Sequence, residues 1–400
     1  MNTDRVPVSL YLAMLCQFAV GGAVIPFAGL LLRERGLSYG ESSQIFALAS
    51  SMLLVFPFLW GMVADRFVPI DRLFTILNAL AFGAMWFLYQ QGAYVGLLLG
   101  FLMFYSCYHP TFTLINALCF HHLPKPEQQF GKVRAWGSLG WIVPSLPISI
   151  WLALREGVEL GFVLWIGMAA AAAMTLVTLV LPRTAIQREL SSSDGSTKPH
   201  YWQDIKVLMS NGNYVAILIS FFLISGSFSL MTYYSPPYLV SLGMAREWIG
   251  PVQCIGVVLE IALFPFLRVL LARWGYRVCI LLGILSLVIR HLLYASSNWL
   301  LLLALSYLFS GLFIVFYHIS VSILVNEMAS RRVRASAQTL LVLLGSGLGP
   351  LVTNWVAGRF VVGTGEDLTA LFLFAAGLAG MASVVIGLRG RKLEPDRSVG

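Results

Sequence analysis

Apolar runs long enough to cross a lipid bilayer recur along almost the whole chain, and they constrain its fold more than any other feature. A spanning helix needs about 20 mostly apolar residues. Twelve stretches meet that length, at roughly 8–32, 42–64, 73–90, 95–120, 132–154, 160–182, 213–238, 248–271, 278–296, 299–326, 335–357 and 369–388. In hydrocarbon, every backbone N–H and C=O of a lone span has to be satisfied within its own segment, so the expected class is an all-α membrane protein. Composition agrees. Of the 400 residues, 58% are hydrophobic and 11% charged, whereas soluble domains carry about 25% charged residues. The first run, Val8 to Leu32, exceeds a signal-peptide core and has no small-residue cleavage site after it, so it reads as a span.

The net charge of +8 raises the question of nucleic acid, and its distribution answers it. With the N-terminus on the cytoplasmic side, 20 of the 26 Lys and Arg fall in cytoplasmic segments. Arg33, Arg35, Arg155, Arg246 and Arg359 fall outside, and Arg290 stays within a span. This is the positive-inside pattern. Both termini are therefore expected in the cytoplasm, and no excess of charge remains to argue for nucleic-acid binding. Cys16, Cys107, Cys119, Cys254 and Cys279 all lie in apolar runs, without CxxC or Cys/His metal spacing. They read as small packing residues, and neither a metal nor another cofactor is expected.

One long hydrophilic stretch, Arg183 to Asn213, divides the chain near its middle, and its SSSDGSTKP centre has linker composition. It predicts an N-terminal six-helix bundle over 1–183, a cytoplasmic linker over 184–212 and a C-terminal six-helix bundle over 213–400. The two halves resemble each other. Phe56-Pro57-Phe58-Leu59 recurs as Phe264-Pro265-Phe266-Leu267, and Val133-Arg134-Ala135 recurs as Val333-Arg334-Ala335. Gly36 pairs with Gly243, Pro26 with Pro236 and Pro144 with Pro350, all at offsets of 206 to 210. Both halves start on the same side of the membrane, so the repeat is parallel. That arrangement predicts the major facilitator fold, with a solute site near the midplane between the halves.

Polar residues deep in spans are costly, about 2.5–3.5 kcal/mol each on insertion scales, so each needs a reason. Glu260 lies about eleven residues from either end of its span, which is midplane depth, with Gly256 and Gln253 on the same helical face. Arg290 sits centrally in the next span and is always charged. Glu260 is its natural partner, either as a structural ion pair or as a functional one. His318 reads as a packing histidine or as a proton relay. In the first half the polar positions are Gln17, Asn78, His109, Asn116, Arg134 and Ser138; Tyr233 and Tyr234 occupy the seventh span. Gly345-Ser-Gly347-Leu-Gly349 is a small-residue run that allows close helix approach.

Gly61-Met-Val-Ala-Asp65-Arg66 after the second span resembles the GxxxDR loop of the major facilitator superfamily. The resemblance gives Gly61, Asp65 and Arg66 a gating role, the Asp65 carboxylate facing a helix N-terminus; a short solvated loop is the plainer alternative. Phe130-Gly-Lys-Val-Arg134-Ala-Trp136-Gly137-Ser138-Leu-Gly140-Trp141 is similar to the branch containing lactose permease, the phenylpropionate permeases and the bacterial nucleoside:H⁺ symporters. Pro110 to Asn116 and Arg334 to Gln338 are similar to the nucleoside symporters, and Ile249 to Glu260 to the phenylpropionate permeases. The resemblance implies that Arg134 bonds the solute, that Trp141 stacks on its ring, that Glu260 carries a proton or contacts the solute, and that Arg290 tunes it. Two acidic positions of relatives are lost: Asn116 and Val315 occupy them here.

The expected protein is a monomeric proton-coupled importer of a small ring-bearing polar solute, nucleoside-like, in the lipid bilayer of a bacterial inner membrane. Gln17, Asn116, Arg134, Ser138, Trp141, Tyr233 and Glu260 would bind the solute, and Glu260, Arg290 and His318 would couple it to H⁺. A phenylpropionate- or sugar-type permease is the alternative within the branch. A drug-exporting antiporter lacks support, since GxxxGPxxGG is absent from the fifth span. An intramembrane enzyme or a non-transporting sensor is the alternative from another class, although HExxH, GxGD and P-loop motifs are absent.

Overall fold

The computed structural model of the protein describes residues 6–155, 157, 159–181, 206, 208–329, 334–363 and 367–389. Among these there is no strand. Ten helices are long and apolar enough to cross a membrane, and Phe162–Thr178 is a shorter apolar one. In chain order we label α1 Val8–Glu34, α2 Tyr39–Arg66, α3 Ile70–Gln90, α4 Tyr94–His122, α5 Gln129–Leu154 and α6 Phe162–Thr178. There follow α7 Gly212–Ser241, α8 Ile249–Leu263, α9 Leu267–Ser296, α10 Leu300–Met328, α11 Ser336–Gly363 and α12 Thr369–Gly387.

Ten of the twelve expected apolar runs each correspond to a helix within a few residues, and the other two are instructive. Runs 248–271 and 278–296 fall in one helical stretch, Arg246–Ser296. It contains 3-10 turns at Arg246–Trp248 and Phe264–Phe266, and it breaks between the two runs at Gly275, whose φ of 77° and ψ of 162° are not helical. The turn between the two runs is so tight that it consists of one residue.

The chain divides into two compact units. Unit 1 comprises 1–37, 48–197 and 245–251; unit 2 comprises 38–47, 198–244 and 252–400. The expected linker falls mostly outside the described residues, at 184–205 and 207. Ser38–Ala47, the first turns of α2, belong to unit 2, and Ala245–Pro251, which lead into α8, belong to unit 1. Of the ten long helices, α1 and α7 are the most enclosed. Lipid tails are as apolar as Leu, so association between spans rests on close packing rather than on burial from water. Accordingly the buried stretch of α1 is rich in small residues, Ala19, Gly21, Gly22, Ala23 and Ala28. Large aliphatic side chains such as Leu146, Ile150, Leu176, Val269 and Val384 are turned outward, as lipid-facing surfaces require.

The internal repeat is visible in backbone geometry at two equivalent turns. α1 ends with Gly36 at φ 84° and α7 with Gly243 at φ 99°. Gly36 N–H bonds Arg33 O and Leu37 N–H bonds Leu32 O; Gly243 N–H bonds Val240 O and Met244 N–H bonds Leu239 O. Both are the same glycine-terminated cap, in which a left-handed residue lets two further N–H groups reach back to the last carbonyls. The paired prolines differ in their effect. Pro265 sits in a 3-10 turn, Phe264–Phe266, whereas Pro57 lies inside the continuous helix α2. Pro26 occupies a 3-10 turn, Ile25–Phe27, and Pro236 lies inside α7.

α2 opens with a capping box that the sequence contains as Ser38-Tyr-Gly-Glu41. Glu41 N–H donates to Ser38 Oγ at 3.2 Å and Ser38 N–H donates to Glu41 Oε2 at 2.8 Å. At the end of α1, Glu34 pairs with Arg246 at 2.6 Å and accepts from Leu160 N–H at 2.6 Å. Cys107, Cys119 and Cys279 are buried, and Cys16 and Cys254 are half-buried. No metal-binding group is found among the described residues.

Candidate functional site

In unit 1 the site candidates gather where α1 meets α4 and α5. Contact between α1 and α5 is backbone to backbone. A Cβ at Gly140 would stand 2.2 Å from Leu15 O, and one at Gly22 2.5 Å from Trp141 O. Glycine at these positions lets α5 lie on α1, and this sets the side chains of the Arg134-Ala-Trp-Gly-Ser138-Leu-Gly-Trp141 run. The Arg134 guanidinium carbon lies 4.2 Å from the Phe18 ring centroid, a cation–π contact. The Trp141 ring edge lies 3.0 Å from where a Cβ on Gly21 would be. Arg134, Ser138 and Trp141 are each half-buried, so none is a fully exposed anchor at the membrane surface.

Gln17 is fully buried. Its amide nitrogen donates to Thr111 Oγ1, and Tyr108 Oη donates to Gln17 O at 3.1 Å. Gln17 thus ties α1 to α4, and its side-chain oxygen is the one group of the triad without a hydrogen-bond partner among the described residues. Asn116 is half-buried five residues beyond Thr111 on α4. Asn78 is buried and donates to Phe74 O at 2.9 Å within its own helix. The first-half candidates are therefore brought together around α1, with Gln17 enclosed and Arg134, Ser138, Trp141 and Asn116 at the margin of the packing.

In unit 2 the candidates gather around two crossings. At the first, α8 meets α10 through facing glycines: a Cβ at Gly311 would stand 2.3 Å from Gly256 O and 3.2 Å from the backbone nitrogen of Glu260. One position before Gly311, Ser310 Oγ accepts from Arg290 Nη1. Glu260 and Arg290 are thus delivered to the same crossing from α8 and α9, as their spacing predicts. The described contacts of Arg290 are not with a carboxylate, however. They are Ser310, the Tyr307 ring at 3.8 Å and the Tyr294 ring at 5.7 Å. Arg290 is 2% exposed and Glu260 half-buried.

The second crossing involves α7, the start of α2 and α11. Tyr233 is buried and stacks on Phe46 with centroids 3.9 Å apart and planes 7° from parallel. Tyr234 Oη hydrogen-bonds Ser43 Oγ, which donates to Asn354 O at 2.9 Å. Asn354 in turn donates to Ser229 Oγ at 3.0 Å. The small-residue run of α11 packs as expected: a Cβ at Gly345 would stand 1.9 Å from the Phe221 ring and one at Gly349 2.6 Å from Phe222 O. His318 is exposed, its ring 5.3 Å from that of Phe221. It lies in a π-helical segment, Ile314–Ile319, a local widening common at functional sites. The loop motif is only partly covered. Gly61 is half-buried and Arg66 exposed, and the Asp65 side chain lies outside the described residues, as does that of Arg334.

Sequence reasoning missed Phe18, Phe46, Tyr294, Tyr307 and Ser310. Each is apolar enough, or aromatic enough, to pass as ordinary span filling. The signal that could have found Tyr307 and Ser310 is their spacing of three, which sets both on one face of the span next to the buried Arg290.

The chain is similar to known transporters over most of its length. YegT of Escherichia coli (strain K12) is 26% identical over 355 residues, covering 86% of this chain and 82% of that protein. The nucleoside permease NupG of Escherichia coli (strain K12) is 24% identical over 369 residues, covering 86% and 85%. The xanthosine permease of the same organism is 20% identical over 401 residues, covering 94% and 93%. Two crystal structures of the nucleoside transporter NupG align with TM-scores of 0.83 and 0.81 at 21% and 20% identity, covering at least 96% of this chain; at that identity the likeness establishes the fold. The nucleoside H⁺ symporter model matches residues 4–393. An integral membrane protein by its helices and a transporter by its relatives, the chain belongs to the nucleoside H⁺ symporter family of the major facilitator superfamily.

Proposed function

We propose that the protein imports nucleosides, or solutes of the same ring-bearing polar class, together with H⁺, by alternating access of two six-helix halves. The observation that carries the reading is the α1–α5 packing, which keeps the Arg134 fork and the Trp141 ring half-buried, two turns apart on one helix. A planar bidentate donor suits sugar hydroxyls and base carbonyls, and an indole face suits a heteroaromatic ring. Ser138 and Asn116 are the further polar contacts in unit 1, beside the enclosed Gln17, and Tyr233 is a candidate contact in unit 2. Glu260 accepts the proton, and its neighbourhood to Arg290 at the α8–α10 crossing lets its charge bias the gating equilibrium. His318 is a second candidate on the proton path, and Gly61, Asp65 and Arg66 form the cytoplasmic gate.

Counting Phe162–Thr178 as a span, and the stretch broken at Gly275 as two, gives twelve. The parallel sequence repeat and the matched caps at Gly36 and Gly243 support two six-helix halves. Positive-inside charge supports cytoplasmic termini, and the relatives support a bacterial inner membrane; the functional unit is a monomer in lipid. An aromatic-acid permease is the second reading. It is favoured by Val315, fully buried and apolar, where the resemblance to nucleoside symporters calls for an acidic residue.

The test is uptake of labelled uridine and adenosine into proteoliposomes under an imposed inward proton gradient. Accumulation that a protonophore abolishes supports the proposal. Accumulation of phenylpropionate but not of nucleosides would transfer it to the second reading.

A further inference from the structure

Arg290 in unit 2 is a buried cation without a complete set of partners. Its side chain is 2% exposed, and a guanidinium carries a delocalised positive charge with five N–H donors. Nη1 is used by Ser310 and one face lies on Tyr307, yet Nε and Nη2 have no hydrogen-bond partner among the described residues. The Tyr294 hydroxyl, on the same helix one turn away and fully buried, is also without one. It lies within reach of the guanidinium and of the Tyr307 hydroxyl.

The neighbours that might fill these valences are already engaged. Tyr307 Oη is 3.0 Å from Ser235 Oγ. His291 reaches Leu287 O at 2.7 Å and Ser227 O at 3.2 Å. Tyrosine faces attract a cation through their quadrupole but do not cancel a full charge. What remains is a cluster of buried donors, Arg290 Nε, Arg290 Nη2 and Tyr294 Oη, unmatched among the described residues, around a guanidinium whose described contacts include no carboxylate, in a low-dielectric interior.

We propose that this cluster binds a small monovalent anion of the halide class, held by Arg290 and Tyr294 between α9 and α10. The ligand must be small, because Tyr294 and Arg290 are enclosed almost completely, and it must be anionic, because all three free valences can donate and the site's charge is positive. The site is separate from the wall of Arg134 and Trp141, and it stands whether or not the solute is a nucleoside.

The experiment is thermal unfolding of the purified full-length protein, without solute, in chloride, bromide or gluconate salts of equal ionic strength. Ligand binding to the folded state predicts a saturable rise of roughly 2 °C in chloride and bromide relative to gluconate. Tyr294→Phe should fold normally and weaken the half-saturating halide concentration about tenfold, the worth of one hydrogen bond to a charged group. Arg290→Lys should keep the charge and lose the response, since a Lys has no Nε–H beside a second donor. Identical unfolding of the wild type in all three salts would overturn the proposal. So would a full halide response in both variants, which would move the anion elsewhere. Because no transport is measured, either outcome leaves the nucleoside reading to its own uptake test.

Discussion

Gly256 and Gly311 face each other so closely that a Cβ on Gly311 would lie 2.3 Å from the Gly256 carbonyl oxygen. That approach fixes the depth at which α8 crosses α10, and so the distance from Glu260 to the helix that holds Ser310, the hydrogen-bond partner of Arg290. The obstacle to a larger residue is backbone, which cannot swing aside as a flexible side chain can. Gly311→Ala is therefore expected to cost about 1–3 kcal/mol, the range for overpacked sites, and to lower both melting temperature and proton-driven uptake. Gly377→Ala is the control, because a Cβ there meets nothing within 4 Å. It should match or slightly exceed wild-type stability, by up to about 1 kcal/mol of helix propensity. Equal melting temperatures for the two variants would contradict the crossing.

A second prediction tests the internal repeat through its caps. Gly36 and Gly243 both adopt positive φ at the ends of α1 and α7, and a Cβ at either meets no neighbour within 4 Å. Only backbone strain then opposes substitution, about 1–2 kcal/mol for a non-glycine residue in the left-handed region. Gly36→Ala and Gly243→Ala should destabilise by similar amounts and add in the double variant. A large difference between them, measured by urea or thermal unfolding in detergent, would mean that the two turns are not equivalent.

The spans were legible in sequence because their physics is one-dimensional: apolar length gives them. The Gly275 break was legible too, since Arg273 and Arg277 part the runs 248–271 and 278–296; that the non-helical turn is a single residue was not. The π segments Ile314–Ile319 and Leu343–Leu348 were not legible at all, because composition does not report a hydrogen-bond shift of one residue. At the site, Glu260 and Arg290 announced themselves as polar groups in apolar runs, whereas Arg134, at the end of its run, was marked only by the family resemblance. Phe18, Tyr307 and Phe46 did not, because an aromatic in a span is unremarkable until the cation or ring it faces is known. The same limit applies to Gln17: its polarity marked it, but only packing against Thr111 and Tyr108 reveals that its amide is already committed to holding α1 on α4.

The third prediction separates charge from shape at Arg134. Lys at this position keeps the positive charge and loses the planar fork and much of the stacking on Phe18. Arg134→Lys should raise the half-saturating solute concentration about tenfold or more, the worth of one or more charge-assisted hydrogen bonds. Phe18→Leu removes the cation–π contact, about 0.5–1 kcal/mol, along with an edge-to-face contact to Phe112, and should raise it about two- to fivefold with a modest fall in melting temperature. Wild-type affinity in Arg134→Lys would return Arg134 to the role of an interfacial anchor.

The last prediction concerns the proton. Asn116 and Val315, where the family resemblance implies acidic residues, cannot ionise. Of the other described carboxylates in or near the spans, Glu41 lies in the first turn of α2 and Asp71 in that of α4's predecessor, α3, while Glu327 is one residue from the end of α10. Glu260 lies mid-span, at the crossing that also receives Arg290. If its protonation couples solute to H⁺, then Glu260→Gln, which imitates the protonated carboxyl in size and donor pattern, should abolish accumulation against a gradient. Downhill exchange of labelled for unlabelled solute should persist at least in part, because exchange needs the solute site and the rocking motion but no net proton release. Concentrative uptake in Glu260→Gln equal to wild type would remove Glu260 from the coupling path and leave His318 as the group to test. Loss of exchange as well as accumulation, with an unchanged melting temperature, would assign Glu260 to solute binding rather than to the proton.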